Sequence, residues 1–193
     1  MAPLLTAETL GGGFTDAPIQ SSRAFRAALD AMARPGRIHD IGGATPPAPL
    51  SVAAGTLLLT LADGTTPVHL AGDADCDAVR GWITFHTGAP LVAAEAAVFA
   101  VGHWADLAPI GRFAIGTPEY PDRAATLIVE MTALEAEGSV LSGPGIRDHA
   151  LLTLPDPEAF RANRALFPLG FDAFLTCGTR VAGLPRSTRV EDN

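Results

Sequence analysis

The alternation of short apolar runs with longer segments of helical periodicity is the feature that most constrains the fold of this chain. The runs at 67–70, 97–101 and 125–132 are mostly apolar and have the length of strands. Segments of about a dozen residues, with apolar positions three and four apart, separate several of these runs. Strands mingled with helices of that length are typical of a layered α/β domain. We therefore predict an α/β fold with a mixed β-sheet flanked by helices.

Five helices follow from the pattern and from residues that can cap them. They cover residues 17–33, 50–61, 75–87 and 157–166, with a short helix at 104–110. Asp16 can cap the first helix, and Asp156 can cap the helix at 157–166. The predicted apolar face of the first helix consists of Phe25, Ala28, Leu29 and Met32. This helix must end at Arg34, because the following Pro35 disfavours the α conformation for its predecessor.

Seven short runs predict strands. They are 37–41, 67–70, 97–101, 125–132, 139–141, 171–177 and 180–184. The last two flank Gly178-Thr179 and predict a hairpin. Run 139–141 is predicted to pair with run 125–132 across a turn at 135–138. Because 193 residues fit one ordinary core, we expect residues 1–193 to form a single domain.

The charged residues argue against nucleic acid as a partner and against one class of cofactor chemistry. A formal net charge of -8 disfavours binding to nucleic acid, which draws on dense basic patches. All 13 basic residues are Arg, and the chain contains no Lys. Without Lys it cannot form a Schiff base with pyridoxal phosphate, nor supply the lysine of a phosphate-binding loop. We therefore expect no cofactor.

No segment predicts a membrane span, a disulfide or a metal site. The apolar stretch 92–101 contains Glu95 and is shorter than the roughly 20 residues of a spanning helix. Residues 1–13 lack the basic and apolar regions of a secretory leader, which favours a cytoplasmic location. Cys76 and Cys177 stand far apart, and the histidines are scattered. Neither a disulfide nor a metal site is therefore expected.

Two segments that contain arginine are candidate sites for an anionic ligand. Arg34 precedes Pro35-Gly36 at a predicted helix end, and Arg suits two-point binding of a phosphate or phosphonate. Arg186-Ser187-Thr188 follows strand 180–184 and offers a guanidinium and two hydroxyls in a row. The alternatives are a solvated Arg at a helix end and an edge strand that faces water. Both arginines are expected at the surface, where charge reversal leaves stability nearly unchanged.

His86, Asp172 and Gly143-Pro144-Gly145 have weaker claims to a role in a site. His86 shares a predicted helix face with apolar residues, so a core histidine bonded to the backbone competes with a general base. Asp172 begins an apolar strand and is expected to pair with an Arg or to cap the adjacent turn. Gly143-Pro144-Gly145 predicts a simple turn, because Pro144 has no N–H to offer an anion. The residues alone assign no catalytic role.

Several segments together resemble the H subunit of the bacterial carbon-phosphorus lyase core. They are Ala31-Met32 with Arg34-Pro35-Gly36, Leu57-Leu58-Leu59-Thr60-Leu61-Ala62-Asp63, Phe85-His86-Thr87-Gly88-Ala89-Pro90-Leu91, Gly143-Pro144-Gly145-Ile146, Phe167-Pro168-Leu169-Gly170-Phe171-Asp172 and Leu184-Pro185-Arg186-Ser187-Thr188. Each segment alone is weak. Their order and spacing over nearly the whole chain make the resemblance specific.

This resemblance implies a role in phosphonate breakdown within an assembly. The family's H subunit joins the G, I and J subunits and serves the formation of ribose 1-phosphonate 5-triphosphate from ATP and an alkylphosphonate. Its fold is similar to that of pyridoxal-phosphate-dependent transferases, without the cofactor. The candidate ligand-binding residues for a phosphonate or nucleotide are Arg34, Arg186, Ser187, Thr188 and His86.

Two functional hypotheses follow from the sequence. The first is a subunit that is active only with its complex partners, and such a subunit is expected to self-associate in isolation as a homodimer. The second is a stand-alone transferase that binds a nucleotide or phosphonate through Arg34, His86 and Arg186.

Overall fold

The computed structural model of the chain describes residues 10–191. Its helices are α1 (Ala17–Ala33), α2 (Val52–Leu61), α3 (Asp77–Thr87), α4 (Trp104–Leu107) and α5 (Pro157–Ala165). Its strands are β1 (Ile38–Asp40), β2 (Val68–Leu70), β3 (Phe99–His103), β4 (Thr126–Glu130), β5 (Ser139–Ser142), β6 (Ala150–Leu152), β7 (Asp172–Cys177), β8 (Arg180–Leu184) and β9 (Arg189–Val190). These elements confirm the α/β class. The expectation that residues 1–193 form one domain stays a prediction.

Six strands form a mixed sheet in the order β1-β8-β7-β4-β3-β2. Strands β2, β3, β4 and β7 run parallel, whereas β8 is antiparallel to both β7 and β1. The predicted mixed sheet and the predicted hairpin of β7 and β8 are therefore confirmed. We call the side where the parallel strands end, at His103, Glu130 and Cys177, the carboxyl edge. The opposite side, where β7 begins at Asp172 and β8 ends at Leu184, is the amino edge.

A second sheet of three strands was not predicted, and it corrects one predicted pairing. Strand β5 pairs with β6 and β9, both antiparallel, and not with β4. The pairing across the turn at 135–138 is therefore wrong. Leu141 of β5 and Leu152 of β6 bury their side chains in the cluster that also contains Leu127 of β4. Strand β5 thus packs on a face of the main sheet, where burial of apolar side chains outweighs a local hairpin.

The main sheet lies between two apolar layers, because successive side chains of a strand point to opposite faces. On one face, Ile128 of β4 packs in a cluster with residues of α1, α2 and α3. On the other face, Leu127 and Val129 pack against the second sheet and against Leu107 of α4. No helix within residues 10–191 is long and apolar enough to span a membrane.

Helix α1 packs on the sheet through small residues, and part of its predicted apolar face is exposed instead of buried. The residues that it buries are Ala24, Ala28 and Ala31. Phe25 and Leu29, predicted to face the core, are 50% and 58% exposed. The reason is a close approach to β8, since a Cβ at Gly183 would lie 2.6 Å from the carbonyl oxygen of Ala31. Larger side chains do not fit in this contact, so Phe25 and Leu29 lie outside it.

The predicted helix caps are confirmed at both acidic residues. Asp16 accepts a hydrogen bond from the N–H of Ile19 at 3.4 Å, and Asp156 accepts one from Ala159 at 3.1 Å. Each cap satisfies a backbone donor that the first turn of a helix leaves without a partner. Local sequence therefore decides where these two helices begin.

The contact between α1 and β8 predicts that Gly183→Ala destabilises the protein and that Gly111→Ala does not. Gly183→Ala should lower the free energy of unfolding by about 1–3 kcal/mol, because the added Cβ forces the helix away from the strand. Gly111→Ala is the matched control, since a Cβ at Gly111 meets nothing within 4 Å. It should change stability by less than about 0.5 kcal/mol. Urea denaturation measures both, and equal effects would contradict the close approach.

Candidate functional site

Three of the segments singled out in the sequence meet at the amino edge of the main sheet. A Cβ at Gly145 would lie 2.1 Å from the carbonyl oxygen of Ala33, the residue before Arg34. A Cβ at Gly143 would lie 3.3 Å from the carbonyl oxygen of Ser187. The φ angle is 120° at Gly143 and 82° at Gly145, and such positive values favour glycine. The loop 143–145 thus lies between the end of α1 and the segment after β8, and we call this region the arginine edge.

Arg186 is held in place by four hydrogen bonds at the arginine edge. Its Nη2 and Nε donate to the two carboxylate oxygens of Asp172, at 2.6 and 3.1 Å. Its Nη1 donates to the carbonyl oxygen of Pro121 at 2.6 Å, and its backbone N–H donates to Asp172 at 2.8 Å. The side chain is 13% exposed and that of Asp172 is 23% exposed. The predicted pairing of Asp172 with an Arg is confirmed.

This arrangement limits what Arg186 offers to a ligand. Its charge is balanced by Asp172, so an anion that approaches Arg186 competes with a carboxylate already bound at two points. The expectation that Arg186 lies at the surface is wrong, because the end of β8, the start of β7 and the turn at Pro121 enclose it. A role of Arg186 in ligand binding stays a prediction.

Arg34 offers a more accessible charge than Arg186. Its side chain is 50% exposed, and its Nη1 lies 3.1 Å from a carboxylate oxygen of Asp30. Exposed ion pairs of this kind contribute little free energy to stability. Arg34 can therefore exchange Asp30 for a bound anion with little loss of stability. Ser187 is half-buried, whereas Thr188 is buried and its hydroxyl has no hydrogen-bond partner within residues 10–191. A ligand on this surface therefore meets Arg34 and Ser187 before Thr188.

His86 does not join the arginine edge. Its Nε2 lies 3.0 Å from the carbonyl oxygen of Gly11 and donates to it, as does the Nε1 of Trp82 at 3.0 Å. A Cβ at Gly13 would lie 2.7 Å from the Nδ1 of His86. His86 thus fastens the segment before α1 to α3, which is the alternative of a histidine bonded to the backbone. A ligand-binding role for His86 stays a prediction.

A cavity of about 670 Å³ lies beside this same glycine segment. Its lining residues are Gly11, Gly12, Gly13, Thr15, Gln20, Gly43, Thr45, Pro46, Pro47, Ala48 and Ala78. The volume is in the range of small-molecule sites. Its lining side chains are uncharged, so the cavity offers no countercharge to a phosphate or phosphonate.

The carboxyl edge holds a buried carboxylate that the sequence analysis missed. Glu130, at the end of β4, accepts the backbone N–H of Ser51 at 2.7 Å and the hydroxyl of Thr176 at 3.0 Å. Ser51 is the N-cap of α2, so Glu130 ties the start of this helix to the sheet. The Nδ1 of His103 donates to the carbonyl oxygen of Glu130 at 2.9 Å, and His103 itself is exposed.

One sequence pattern could have predicted a site at the carboxyl edge: polar residues stand at the ends of buried strands. His103 and Glu130 are the last residues of β3 and β4, and ligands of α/β sheets bind outside the carboxyl ends of the strands. Nearby, the guanidinium of Arg180 lowers the pKa of the Glu135 carboxyl by donating hydrogen bonds to it. Within residues 10–191, His, Cys, Asp and Glu form no group of three that could hold a metal ion.

Comparison with known proteins identifies the family. Residues 12–191 match the family described as "Bacterial phosphonate metabolism protein (PhnH)". The chain belongs to this family. The resemblance that the sequence segments indicated is therefore confirmed, and the match includes both the arginine edge and the carboxyl edge.

Two relatives of this family member cover nearly its whole length. The "Alpha-D-ribose 1-methylphosphonate 5-triphosphate synthase subunit PhnH" of Rhizobium meliloti (strain 1021) is 40% identical over 191 residues, with 93% of this chain and 94% of the relative covered. The "Putative C-P lyase subunit protein HtxG" of Stutzerimonas stutzeri is 30% identical over 189 residues, with 90% of this chain and 87% of the relative covered.

The geometry of the arginine edge predicts that Arg186 matters for stability and Arg34 does not. Arg186→Met should lower the free energy of unfolding by about 1.5–3 kcal/mol, because it removes the guanidinium donors from the Asp172 carboxylate and from the Pro121 carbonyl. Adding Asp172→Asn should recover part of this loss, since no unpaired carboxylate then remains. Arg34→Met, the exposed control, should cost less than about 0.5 kcal/mol. Thermal and urea unfolding measure these changes, and equal losses for Arg34→Met and Arg186→Met would contradict this account.

Proposed function

We propose that this chain is a subunit of an assembly that acts in phosphonate catabolism. Its task is to serve the formation of ribose 1-phosphonate 5-triphosphate from ATP and an alkylphosphonate. The observation that carries the proposal is the 40% identity, over 93% of this chain, to a relative named as a subunit of alpha-D-ribose 1-methylphosphonate 5-triphosphate synthase. The second relative, named as a putative C-P lyase subunit, supports the same process.

The placement of the candidate residues favours a subunit over a stand-alone transferase. A transferase that uses Arg34, His86 and Arg186 together needs them in one site, but His86 is bonded to Gly11 near α3. Arg186 is already bound by Asp172. This leaves Arg34, with Ser187 beside the loop 143–145, as the group best placed to receive a phosphonate or phosphate oxygen.

The fold and the lack of lysine bear on the cofactor. We propose, on the sequence resemblance, a structural relationship to pyridoxal-phosphate-dependent transferases. This chain has no Lys with which to form the internal aldimine of such enzymes. Any shared fold therefore serves a different task here, since function depends on the site and not on the fold.

The proposed partners are the G, I and J subunits of the carbon-phosphorus lyase core, and the proposed location is the cytoplasm, where ATP is available. The structure supports a docking role because several large apolar side chains face outward. Among them, Leu166 is 46% exposed and Phe167 is 50% exposed. Exposed apolar groups of this size are typical of surfaces that another protein covers.

The test of the ligand role is a charge reversal at Arg34. Arg34→Glu should weaken growth on an alkylphosphonate as sole phosphorus source, because it replaces an anion donor by a repelling carboxylate. The matched control is Arg180→Glu, which breaks an exposed pair with Glu135 at the opposite edge of the sheet. It should grow like the wild type.

Affinity purification with the G, I and J subunits then separates the roles of Arg34. Lost growth with retained assembly supports a ligand site, whereas lost assembly assigns Arg34 to docking. Normal growth of the Arg34→Glu strain removes Arg34 from the site. Failure of the wild-type chain to co-purify with the other subunits contradicts the proposed function itself.

Isolated protein should form a homodimer. Without its partners, a docking subunit shields exposed apolar side chains by self-association, and a twofold dimer is the commonest closed form. Light scattering at high micromolar concentration should give twice the mass of the chain. A monomer at that concentration would rule out the homodimer.

A further inference from the structure

Helix α1 turns two large apolar side chains away from the protein. Phe25 is 50% exposed and Leu29 is 58% exposed, one helical turn apart on the same stripe. Ile19, near the start of the helix, is 49% exposed. The close contact of Ala31 with Gly183 leaves these side chains no place in the core. An exposed stripe of this kind is typical of a helix that another molecule covers.

The same helix concentrates positive charge in an acidic protein. The exposed residues Arg23, Arg26, Arg34 and Arg37 lie along it or directly after it, and Asp30 is the acidic residue within this stretch. Arg34 pairs with Asp30. Arg23 and Arg26 have no ion-pair partner in the part of the chain that the structure describes. Because the whole chain carries a formal net charge of -8, this surface stands out electrostatically.

A groove between α1 and α2 completes this surface. It has a volume of about 340 Å³ and is lined by Ser21, Ser22, Phe25, Arg26 and Thr60. The three hydroxyl groups all donate to backbone carbonyls of their own helices, at Ala17, Ile19 and Thr56. They have no hydrogen left for a bound anion. The groove therefore suits an apolar side chain better than a free phosphate.

We propose that this outer surface of α1, formed by Ile19, Arg23, Phe25, Arg26 and Leu29, docks an acidic segment of another subunit of the same assembly. An apolar side chain of that segment enters the groove beside Phe25, and its carboxylates pair with Arg23 and Arg26. This inference rests on the proposed function, because it names a surface for the assembly. We call these five residues the α1 surface.

Charge decides against a second copy of this chain as the occupant. A twofold contact centred on the α1 surface would bring Arg23 and Arg26 of one copy close to the same arginines of the other. Like charges at the centre of a contact are unfavourable. An acidic partner instead gains both the ion pairs and the burial of Phe25 and Leu29.

The test is co-expression of tagged chain with the G, I and J subunits, followed by affinity purification. Arg23→Glu with Arg26→Glu should reduce recovery of the other subunits by at least about tenfold, and recovery by the wild type should fall as salt is raised. Phe25→Ser with Leu29→Ser should also reduce recovery, with no change in charge. The charge-matched control is Arg80→Glu with Arg180→Glu, two exposed arginines outside α1 and the arginine edge, which should bind within about twofold of the wild type. Circular dichroism and thermal melting verify that each variant folds.

The outcomes separate this inference from the proposed function. If the wild type recovers its partners and both α1 variants recover them equally well, the α1 surface is not the docking site, and the proposed function stands. If the wild type recovers no subunit, the proposed function fails. If the arginine variant keeps its partners but turns a dimer of isolated chain into a monomer, the occupant is a second copy, and the inference is overturned.

Discussion

The close packing of α1 on β8 is the contact on which the rest of the structure depends. Gly183 has no side chain, and the backbone of Ala31 lies against the space where a Cβ would be. This contact fixes which side of α1 is buried, so three alanines face the sheet and Phe25 and Leu29 face outward. Pro35 ends the helix just after this contact, so Arg34 lies beside the end of β8. The loop 143–145 then packs on that end through Gly145.

The two edges of the main sheet use buried charge in similar ways. At the amino edge, Asp172 holds Arg186 and joins the start of β7 to the end of β8. At the carboxyl edge, Glu130 holds the N-terminus of α2 through Ser51 and binds Thr176. In both places a partly or fully buried carboxylate has donors for its oxygens, which is the condition for burying such a group. These acids therefore have a structural task in this arrangement.

The charges of the described residues fit a subunit that works inside a larger assembly. Arg34 and the α1 surface carry accessible positive charge, whereas the charge of Arg186 is balanced internally. Exposed arginine beside exposed apolar side chains is a combination enriched at protein interfaces. The rest of the chain is acidic, so the positive electrostatic potential of the α1 surface is confined to that surface.

The amino-acid sequence by itself determined the α/β class, the caps at Asp16 and Asp156, the hairpin of β7 and β8, and the family. These features depend on local spacing, on single capping residues or on ordered segments, all of which are visible along the chain. The pairing of Asp172 with an Arg was also predictable, because a carboxylate in an apolar strand requires a partner. Tertiary structure alone decided the second sheet, the outward side of α1, and the separation of His86 from the arginine edge. Those depend on contacts between residues far apart in sequence, such as Gly183 with Ala31 and Gly145 with Ala33, and periodicity does not record which backbones approach closely.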